Sequence, residues 1–519
     1  MSAAAPLPFE DGLRGLTDGA ASQLKSNPSL SARALAALTG DLQRLLSQLS
    51  SGPLLAAFAV FRDADARRFE PSGNQVYRDF SERLRRGALA EFLQEFPELS
   101  RLVMQCIADW RDANHEFLLR LDADRKQLTE TFGVGATGQI ANLDPALSDR
   151  HAGRSVLGVA FESSLKLVYK PRDMALESSY FALLNWLNAQ GAPIDQRVLQ
   201  IVEGSGYGWA EWIEDTPCRR EDEVRDYFTR AGALQCVLYV LHATDAHMGN
   251  VLAASGFPVL VDAECLLQPR RSAGDYDPEL EALEDLLSAA LLPRPKMVRG
   301  GAADLSGLGG DSGQNTEFRV PVWRDVNTDS MSLQFVPGIL LAQKNVPVRN
   351  GVRAEILKYS RDFLAGFEQM YGFLVDRRPR LLADSGPLAP MFRCQPRVLL
   401  RSTRAYVSSI NRSLHPRYLR DSERRAGMLR EWVGRDPLDL SPSVLQKEAE
   451  ALGNLNVPHF TTFANDVSLR ADGGVSMPAY FQIAGREIVT IRLQEMGDAN
   501  LQRQLGLLKS LLTLSSLAG

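Results

Sequence analysis

The sequence predicts an α+β fold, and three observations carry this prediction. Residues 1 to about 132 have the apolar spacing of amphipathic helices, as in the stripe formed by Tyr77, Phe80, Leu84 and Ala88. Two short β-type runs follow at 155–161 and 165–169, joined by a turn at 162–164. Helical and extended segments then alternate through the rest of the chain.

The composition is that of a globular protein. The chain has 519 residues, enough for two to four packed units at roughly 100–200 residues each. Hydrophobic residues make up 45% and charged residues 23%, and the formal net charge is −5. This mild acidity gives no reason to expect binding to bulk nucleic acid or to an anionic membrane.

Cysteine usage and the N-terminus predict a soluble, cytoplasmic protein. The five cysteines are scattered without a CxxC pair, which suits a reducing compartment. The N-terminus lacks the basic and apolar stretches of a secretory signal. The longest apolar runs, such as 233–241, are about half of what a membrane-spanning helix needs, so we expect no membrane span.

The later elements follow from local signals. Helices are predicted at 175–189, 222–243, 353–376 and 498–517, and extended segments at 198–212, 258–261 and 470–493. Six glycines fall within 300–313, which predicts a long mobile loop that is too glycine-rich to pack a core. The N-terminal helices are interpreted as a scaffold, and a peptide-binding role for part of them is also compatible with the pattern.

The chemistry is concentrated after the apolar helix that ends at His242. Asp245 is followed five residues later by Asn250, which is the spacing of a phosphotransferase catalytic loop. Asp262 and Glu264 follow a short apolar run and point the same way on an extended segment, which suits the oxygen coordination of magnesium. Lys170 ends a strand and could reach the phosphates of a nucleotide.

Each of these signals also has a structural explanation. An Asp-His-Asn loop can simply satisfy turn hydrogen bonds, a strand lysine can be solvated, and two nearby acids can form an exposed face. A different chemistry is a facial metal triad in an oxygenase or hydrolase, drawn from His151, Asp245, His247 and a further carboxylate. The ordered set of strand lysine, catalytic Asp, Asn and metal acids favours a phosphotransferase, although the chain has no Walker loop.

At these motifs the sequence resembles the dehydratase domain of type 2 lanthipeptide synthetases, the LanM type. The resemblance extends from the N-terminal helices to about residue 500 and rests on seven motifs: 149–156, 167–172, 245–250, 262–264, 327–331, 397–406 and 458–462. It implies a lipid-kinase-like bilobal core. It also implies ATP- and Mg²⁺-dependent phosphorylation of Ser or Thr in a ribosomally made precursor peptide, followed by phosphate elimination to dehydroalanine or dehydrobutyrine.

The resemblance also implies roles for individual residues. Lys170, Asp149 and His151 would belong to the nucleotide side, Asp245 and His247 to phosphoryl transfer, and Asn250, Asp262 and Glu264 to the metal. Arg397 and Thr403 match positions used in elimination, and a guanidinium suits a departing phosphate. Because Arg397 and Arg401 lie four apart in a β-like run, we expect them to share a face; without the resemblance both would be taken as surface arginines.

Members of this family normally continue into a cyclase domain whose zinc is held by Cys and His. Here the last cysteine is Cys394, so we expect a free-standing dehydratase that works with a separate cyclase or tailoring enzyme. The predicted organisation is a helical region at 1–140, a kinase-like core at 141–400 with a mobile loop at 300–331, and a region at 401–519 that completes the elimination site. A kinase that does not eliminate, an inactive precursor-binding scaffold and the metal-triad enzyme remain as alternatives.

Overall fold

The chain folds into helices and several small antiparallel sheets, which confirms the α+β prediction. The computed structural model describes residues 5–64, 70, 72–133, 138–145, 147–271, 278–294, 303–435, 440–471 and 474–516. Its hydrophobic side chains form two large clusters and two small ones.

The N-terminal quarter of the chain is helical, as predicted. Its described residues form the α-helices α1 (Glu10–Ala21), α2 (Ala32–Ala64), α3 (Gln75–Arg83), α4 (Leu89–Glu95) and α5 (Pro97–Phe132). The last of these begins at a proline, which is tolerated in a first turn because that N–H has no helical partner. By length and composition α2 could cross a membrane, but its apolar face, including Leu42 and Phe58, packs in the first large cluster. Core helices of folded proteins pass the same test, so the cytoplasmic location stays a prediction.

A five-stranded antiparallel sheet packs against these helices. Its strands are β1 (Ile140–Asp144), β2 (Leu157–Phe161), β3 (Lys166–Lys170), β4 (Ile201–Gly204) and β5 (Tyr207–Glu211), in the order β1-β2-β3-β5-β4. The predicted hairpin is therefore confirmed as β2 and β3. Phe117 of α5 packs on Tyr169 of β3, with ring centroids 5.1 Å apart, so helices and sheet share one core.

The second large cluster is formed by buried residues from Leu176 onward in the chain. It is built from α6 (Ala175–Ala189), α7 (Glu221–Val240), the hairpin of β6 (Val251–Ala254) and β7 (Phe257–Leu260), α8 (Pro278–Leu287) and α9 (Ser360–Leu381). Helices α7 and α9 cross closely because Gly232 and Gly366 sit at the contact. A Cβ on Gly232 would lie 1.9 Å from the carbonyl oxygen of Phe363, and one on Gly366 would lie 1.8 Å from that of Thr229.

The remaining elements surround this body. They are the hairpins β8 (Asn315–Arg324) with β9 (Ser332–Ile339) and β10 (Val348–Arg349) with β11 (Val352–Arg353), the sheet of β12 (Arg397–Val398), β13 (Phe460–Thr461), β14 (Leu469–Ala471) and β15 (Gly474–Met477), and the helices α10 (Thr403–Ser413), α11 (Pro416–Leu419), α12 (Ser422–Gly434), α13 (Pro442–Gly453), α14 (Gly485–Glu495) and α15 (Asp498–Ser516). Helices α14 and α15 return to pack in the second large cluster.

Two predictions about local structure are wrong. The segment 470–493 is extended only at β14 and β15, and it then becomes helix α14, whose Val489 and Leu493 lie four residues apart on a buried face. The glycine-rich segment does pack a core. Leu308 is 3% exposed, and its backbone N–H donates to the carbonyl oxygen of Leu291 over 2.9 Å. Residues 300–302 lie outside the described residues.

Candidate functional site

Lys170 is buried at the end of β3 and paired with an acid of the next helix. Its Nζ lies 2.5 Å from Oε1 of Glu177 in the first turn of α6 and donates to the carbonyl oxygen of Val261 over 2.6 Å. The two residues are only 5% and 1% exposed. A lysine in this setting cannot be a solvated surface residue, and its ammonium links the sheet to the segment that follows β7.

Arg172 lies two residues beyond Lys170 and binds three carboxylates at once. Its guanidinium donates to Oε2 of Glu264 over 2.5 Å, to Oδ1 of Asp262 over 2.8 Å and to Oε2 of Glu177 over 3.2 Å. Burial by itself would lower the pKa of Arg172, but the negative charges of these three acids raise it. The carboxylates of Asp262 and Glu264 point the same way, as predicted, and the guanidinium of Arg172 lies between them.

The loop from Asp245 to Asn250 connects α7 to β6 and is closed by its own hydrogen bonds. The amide of Asn250 donates to the carbonyl oxygen of Asp245 over 2.8 Å and to its Oδ2 over 3.3 Å. Asp245 has φ of 69°, a left-handed conformation that the loop must hold in place. Ala246 and Met248 are buried in the core, and the side chain of His247 between them is partly exposed.

Asp245 and His247 face each other across this loop. Nε2 of His247 lies 3.6 Å from Oδ1 of Asp245, and its Nδ1 accepts a hydrogen bond from the N–H of Gly249. Burial raises the pKa of Asp245, and the neighbouring charges of Asp262 and Glu264 raise it further against the opposing effect of His247. The three acids are therefore close enough to repel one another.

Arg397 reaches the same acids from the C-terminal part of the chain. Its guanidinium lies 2.6 Å from Oε1 of Glu264, and its backbone N–H donates to the carbonyl oxygen of Glu264 over 2.9 Å. Burial alone would raise the pKa of Glu264, but the charges of Arg172 and Arg397 lower it. Nε of Arg397 is buried and has no partner among the described residues.

The charge of Arg397 acts on both His151 and Asp149, two residues that the family resemblance assigned to the nucleotide side with Lys170. Burial and the charge of Arg397 lower the pKa of His151 to about 4, so its imidazole is neutral near pH 7. Its ring faces that of His459, with centroids 5.8 Å apart. Burial raises the pKa of Asp149, and Arg397 opposes this rise.

Thr403 and Arg401 do not join this group. Thr403 is the first residue of α10 and is partly exposed; within the described residues no hydrogen bond connects it to the other candidates. The expectation that Arg401 shares a face with Arg397 is wrong because strand β12 ends at Val398. Instead Arg401 is buried and binds Glu448 through Nε at 2.9 Å and Nη2 at 3.1 Å.

The donor atoms of Asn250, Asp262 and Glu264 fit a hard cation in type, because Mg²⁺ prefers carboxylate and carbonyl oxygens. Across the described ranges, no three His, Cys, Asp or Glu side chains converge closely enough to hold a metal by themselves. Arg172 occupies the space between the two carboxylates, so a metal would require its side chain to move. The triad of His151, Asp245 and His247 is not assembled, and this disfavours the oxygenase or hydrolase alternative.

A comparison with protein families decides the assignment. Residues 96–463, more than half of the chain, match the family described as "Domain of unknown function (DUF4135)", which is the LanM-type domain. The chain belongs to this family. The match includes every candidate residue named above, from Asp149 to His459, and it confirms the resemblance that the sequence motifs indicated.

One curated relative of this LanM-type domain is the lacticin 481/lactococcin biosynthesis protein LcnDR2 of Lactococcus lactis subsp. lactis. The two are 23% identical over 331 residues. The aligned part is 60% of this chain and 35% of the relative, so the chain spans about a third of the length of the protein it matches.

Sequence reasoning missed Glu177 in this LanM-type domain. The signal was present: an acid lies between Leu176 and Tyr180 on the apolar face of a predicted helix, and a buried carboxylate requires a cationic partner. Arg172 and His459 were noted as parts of motifs but were given no role. Their importance depends on contacts with residues about 90 and 300 positions away, which no local pattern reveals.

Proposed function

We propose that this chain dehydrates Ser and Thr residues of a ribosomally made precursor peptide, first by ATP-dependent phosphorylation and then by phosphate elimination. The supporting observation is that Glu264 joins two groups of residues. On one side it binds Arg172, which also contacts Asp262 and Glu177, the partner of Lys170. On the other side it binds Arg397, which lies beside His151.

Phosphoryl transfer would use the first group. The hydroxyl oxygen of the substrate Ser or Thr attacks the γ-phosphorus of ATP, forming the new O–P bond as the bond to ADP breaks. Asp245 accepts and orients the hydroxyl hydrogen, and a raised pKa suits a carboxylate for this task. Lys170 donates to the phosphates, with Glu177 fixing its position. Once the side chain of Arg172 had moved from between the two carboxylates, Asn250, Asp262 and Glu264 would hold Mg²⁺, which would neutralise phosphate charge.

Elimination would use the second group. Removal of the α-proton and breakage of the Cβ–O bond leave a carbon–carbon double bond and release phosphate. The neutral imidazole of His151 can accept the α-proton, and the guanidinium of Arg397 can bind the departing phosphate. The charge of Arg397 also acts on Asp149, and we assign Thr403 to the same phosphate. A separate cyclase or tailoring enzyme would then act on the product.

The test is mass spectrometry of a candidate precursor peptide rich in Ser, Thr and Cys after incubation with the chain, ATP and MgCl₂. We expect loss of one water per modified residue, and Asp245→Asn should abolish both modification and ATP turnover. Stable gain of phosphate without loss of water would indicate a kinase that does not eliminate. Binding of the peptide without ATP turnover would indicate a scaffold.

A further inference from the structure

His459 presents an exposed imidazole beside the residues assigned to elimination. Its ring meets that of His151 edge to face, with centroids 5.8 Å apart and planes at 80°. A charge on His459 also acts on Glu264. Burial alone would raise the pKa of that carboxyl, and the charges of Arg172, Arg397 and His459 lower it. His459 has no role in either proposed half-reaction.

The backbone around His459 is fixed, although the ring is exposed. Val457 and Phe460 are only 4% and 2% exposed, and the backbone of Val457 is hydrogen-bonded to the imidazole of His151. Phe460 is the first residue of β13 and pairs with Val398 of β12. An imidazole on a segment anchored on both sides has a defined position, which is what a residue that binds substrate requires.

The pairing of β12 with β13 places His459 on the side of Arg397. Arg397 lies directly opposite Thr461, so their side chains share one face of the sheet. Side chains two positions apart on an extended segment point the same way, and His459 is two positions before Thr461. Two imidazoles and one guanidinium, from His459, His151 and Arg397, therefore lie together on this side of the sheet.

The two imidazoles are suited to different tasks. His151 is neutral near pH 7, because burial and the charge of Arg397 lower its pKa to about 4, and it can accept a proton. An imidazole carries at least one N–H in either protonation state, so His459 can donate a hydrogen bond whether or not it is charged. Nη1 of Arg397 is already bound to Glu264, so this guanidinium alone cannot satisfy all the oxygens of a departing phosphate.

We propose that His459 donates a hydrogen bond from its imidazole to the phosphate of the phosphorylated Ser or Thr and stabilises that phosphate as it leaves. In this step the α-proton goes to His151, and the electron pair of the C–H bond forms the carbon–carbon double bond. The Cβ–O bond breaks, and its electron pair stays on the phosphate oxygen. The N–H of His459 and the guanidinium of Arg397 stabilise that charge.

His459 is thereby a substrate-contacting residue that selects the phosphorylated form of the side chain. The inference rests on the proposed function for the identity of the substrate. Phosphate binding, however, can be measured without turnover, and this allows the two proposals to be tested separately.

The first test measures binding of inorganic phosphate by isothermal titration calorimetry, with ADP and MgCl₂ present to fill the nucleotide site. His459→Ala should raise the dissociation constant about tenfold or more, the range for one hydrogen bond to a charged group. His459→Gln, whose carboxamide also carries N–H donors, should restore part of the affinity. His115→Ala, at an exposed histidine of α5, is the matched control and should bind phosphate as the wild type does.

The second test follows elimination by itself. The substrate is a synthetic candidate precursor peptide, rich in Ser, Thr and Cys, that carries one phosphoserine, and mass spectrometry measures its loss of phosphate with ADP and MgCl₂ present. At saturating peptide, His459→Ala should lower the rate about 100-fold. Free imidazole should restore part of this rate, because the vacated position is open to solvent. His115→Ala should react at the wild-type rate without responding to imidazole. Both variants should melt at nearly the wild-type temperature.

The outcomes separate the two proposals. If His459→Ala binds phosphate or eliminates it as the wild type does, the assignment of His459 is overturned, even when the wild type dehydrates the peptide. The same holds if the wild type does not bind inorganic phosphate with ADP present. If phosphate binding depends on His459 but the wild type neither phosphorylates Ser nor removes phosphate from the phosphopeptide, His459 remains a phosphate-binding residue and the proposed function fails.

Discussion

Arg397 and Glu264 are joined twice, through side chains at 2.6 Å and through the backbone at 2.9 Å from the Arg397 N–H to the Glu264 carbonyl oxygen. The double contact connects strand β12 to the segment after β7, across 133 positions of sequence. Because Oε2 of the same carboxylate binds Arg172, Glu264 holds one arginine from each group of candidate residues. Phosphoryl transfer and elimination would therefore share one set of ion pairs.

Arg397→Ala should separate the two half-reactions. We expect phosphopeptide to accumulate and the dehydration rate to fall about 100-fold or more, the usual effect of losing one stabilising donor of a leaving group. Mass spectrometry of the peptide over time measures both products. Arg412→Ala, a change at an exposed arginine of α10, is the control and should behave as the wild type. Dehydrated peptide formed at the normal rate by Arg397→Ala would remove this residue from the elimination step.

Arg172→Gln should make the thermal stability of the protein depend on an added cation. The substitution leaves Glu177, Asp262 and Glu264 without a shared partner, and breaking a buried ion pair costs about 3–5 kcal/mol. We expect a lower melting temperature that MgCl₂ alone partly restores, since a metal ion can replace the guanidinium between the carboxylates. Scanning fluorimetry with and without MgCl₂ measures the melting temperature of the variant and of the wild type. Equal responses of variant and wild type to the metal would contradict this view of Arg172.

Lys170→Ala and Lys166→Ala compare two lysines of the same strand. Lys170 is buried against Glu177, whereas Lys166 forms an exposed pair with Glu214. We expect Lys170→Ala to lower the phosphorylation rate by roughly 100-fold or more and Lys166→Ala to change it little. The rate of ADP formation in the presence of peptide measures this. A similar effect of both substitutions would exclude a specific role for Lys170 in binding the nucleotide.

Arg401→Ala should destabilise the protein without changing the balance of products. Arg401 is 8% exposed, binds Glu448, and lies over the Trp432 ring at 5.4 Å. Removing it leaves a buried carboxylate unpaired, so we expect the free energy of unfolding to fall by about 3–5 kcal/mol. Urea denaturation measures this, with Arg435→Ala in an exposed pair as the control that should change it by less than about 1 kcal/mol. If phosphopeptide accumulated with Arg401→Ala, the residue would have a chemical role as well.

His242 should make stability decrease in mild acid. Burial and the charge of Arg492 lower the pKa of His242 to about 3, whereas the unfolded chain should have the ordinary value of about 6.5. The unfolded state therefore binds more protons between these values, and the stabilisation present above pH 6.5 is lost as the pH falls. From pH 7 to 5 the wild type should lose about 2 kcal/mol more free energy of unfolding than His242→Gln does.

The matched control for this pH series is His115→Gln, a change at an exposed histidine of α5. Its loss of stability between pH 7 and 5 should equal that of the wild type. Parallel denaturation curves for wild type and His242→Gln over this range would show that His242 is not the group responsible.

Much of the fold could be predicted from local patterns. The helix at Ala175–Ala189 and the hairpin of β2 and β3 were predicted within a residue or two, because caps, turns and apolar spacing act over short distances. The prediction failed at 485–495, where β-branched residues favour a strand but Ile488 and Val489 pack as a helix face. It also failed at Leu308, because core packing in a glycine-rich segment depends on partners such as Leu291 from elsewhere in the chain.

By itself the sequence determined the α+β class, the five-residue spacing of Asp245 and Asn250, and the motifs of the LanM-type family. These depend on residue types and short spacings, which are properties of the chain alone. Only the tertiary structure decided which charged groups interact. It pairs Lys170 with Glu177 and places Arg172 among three acids. It also places His151 under the influence of the Arg397 charge and pairs Arg401 with Glu448. The physical reason is that burial requires every charge to find a partner, and that partner is chosen by packing and not by proximity in sequence.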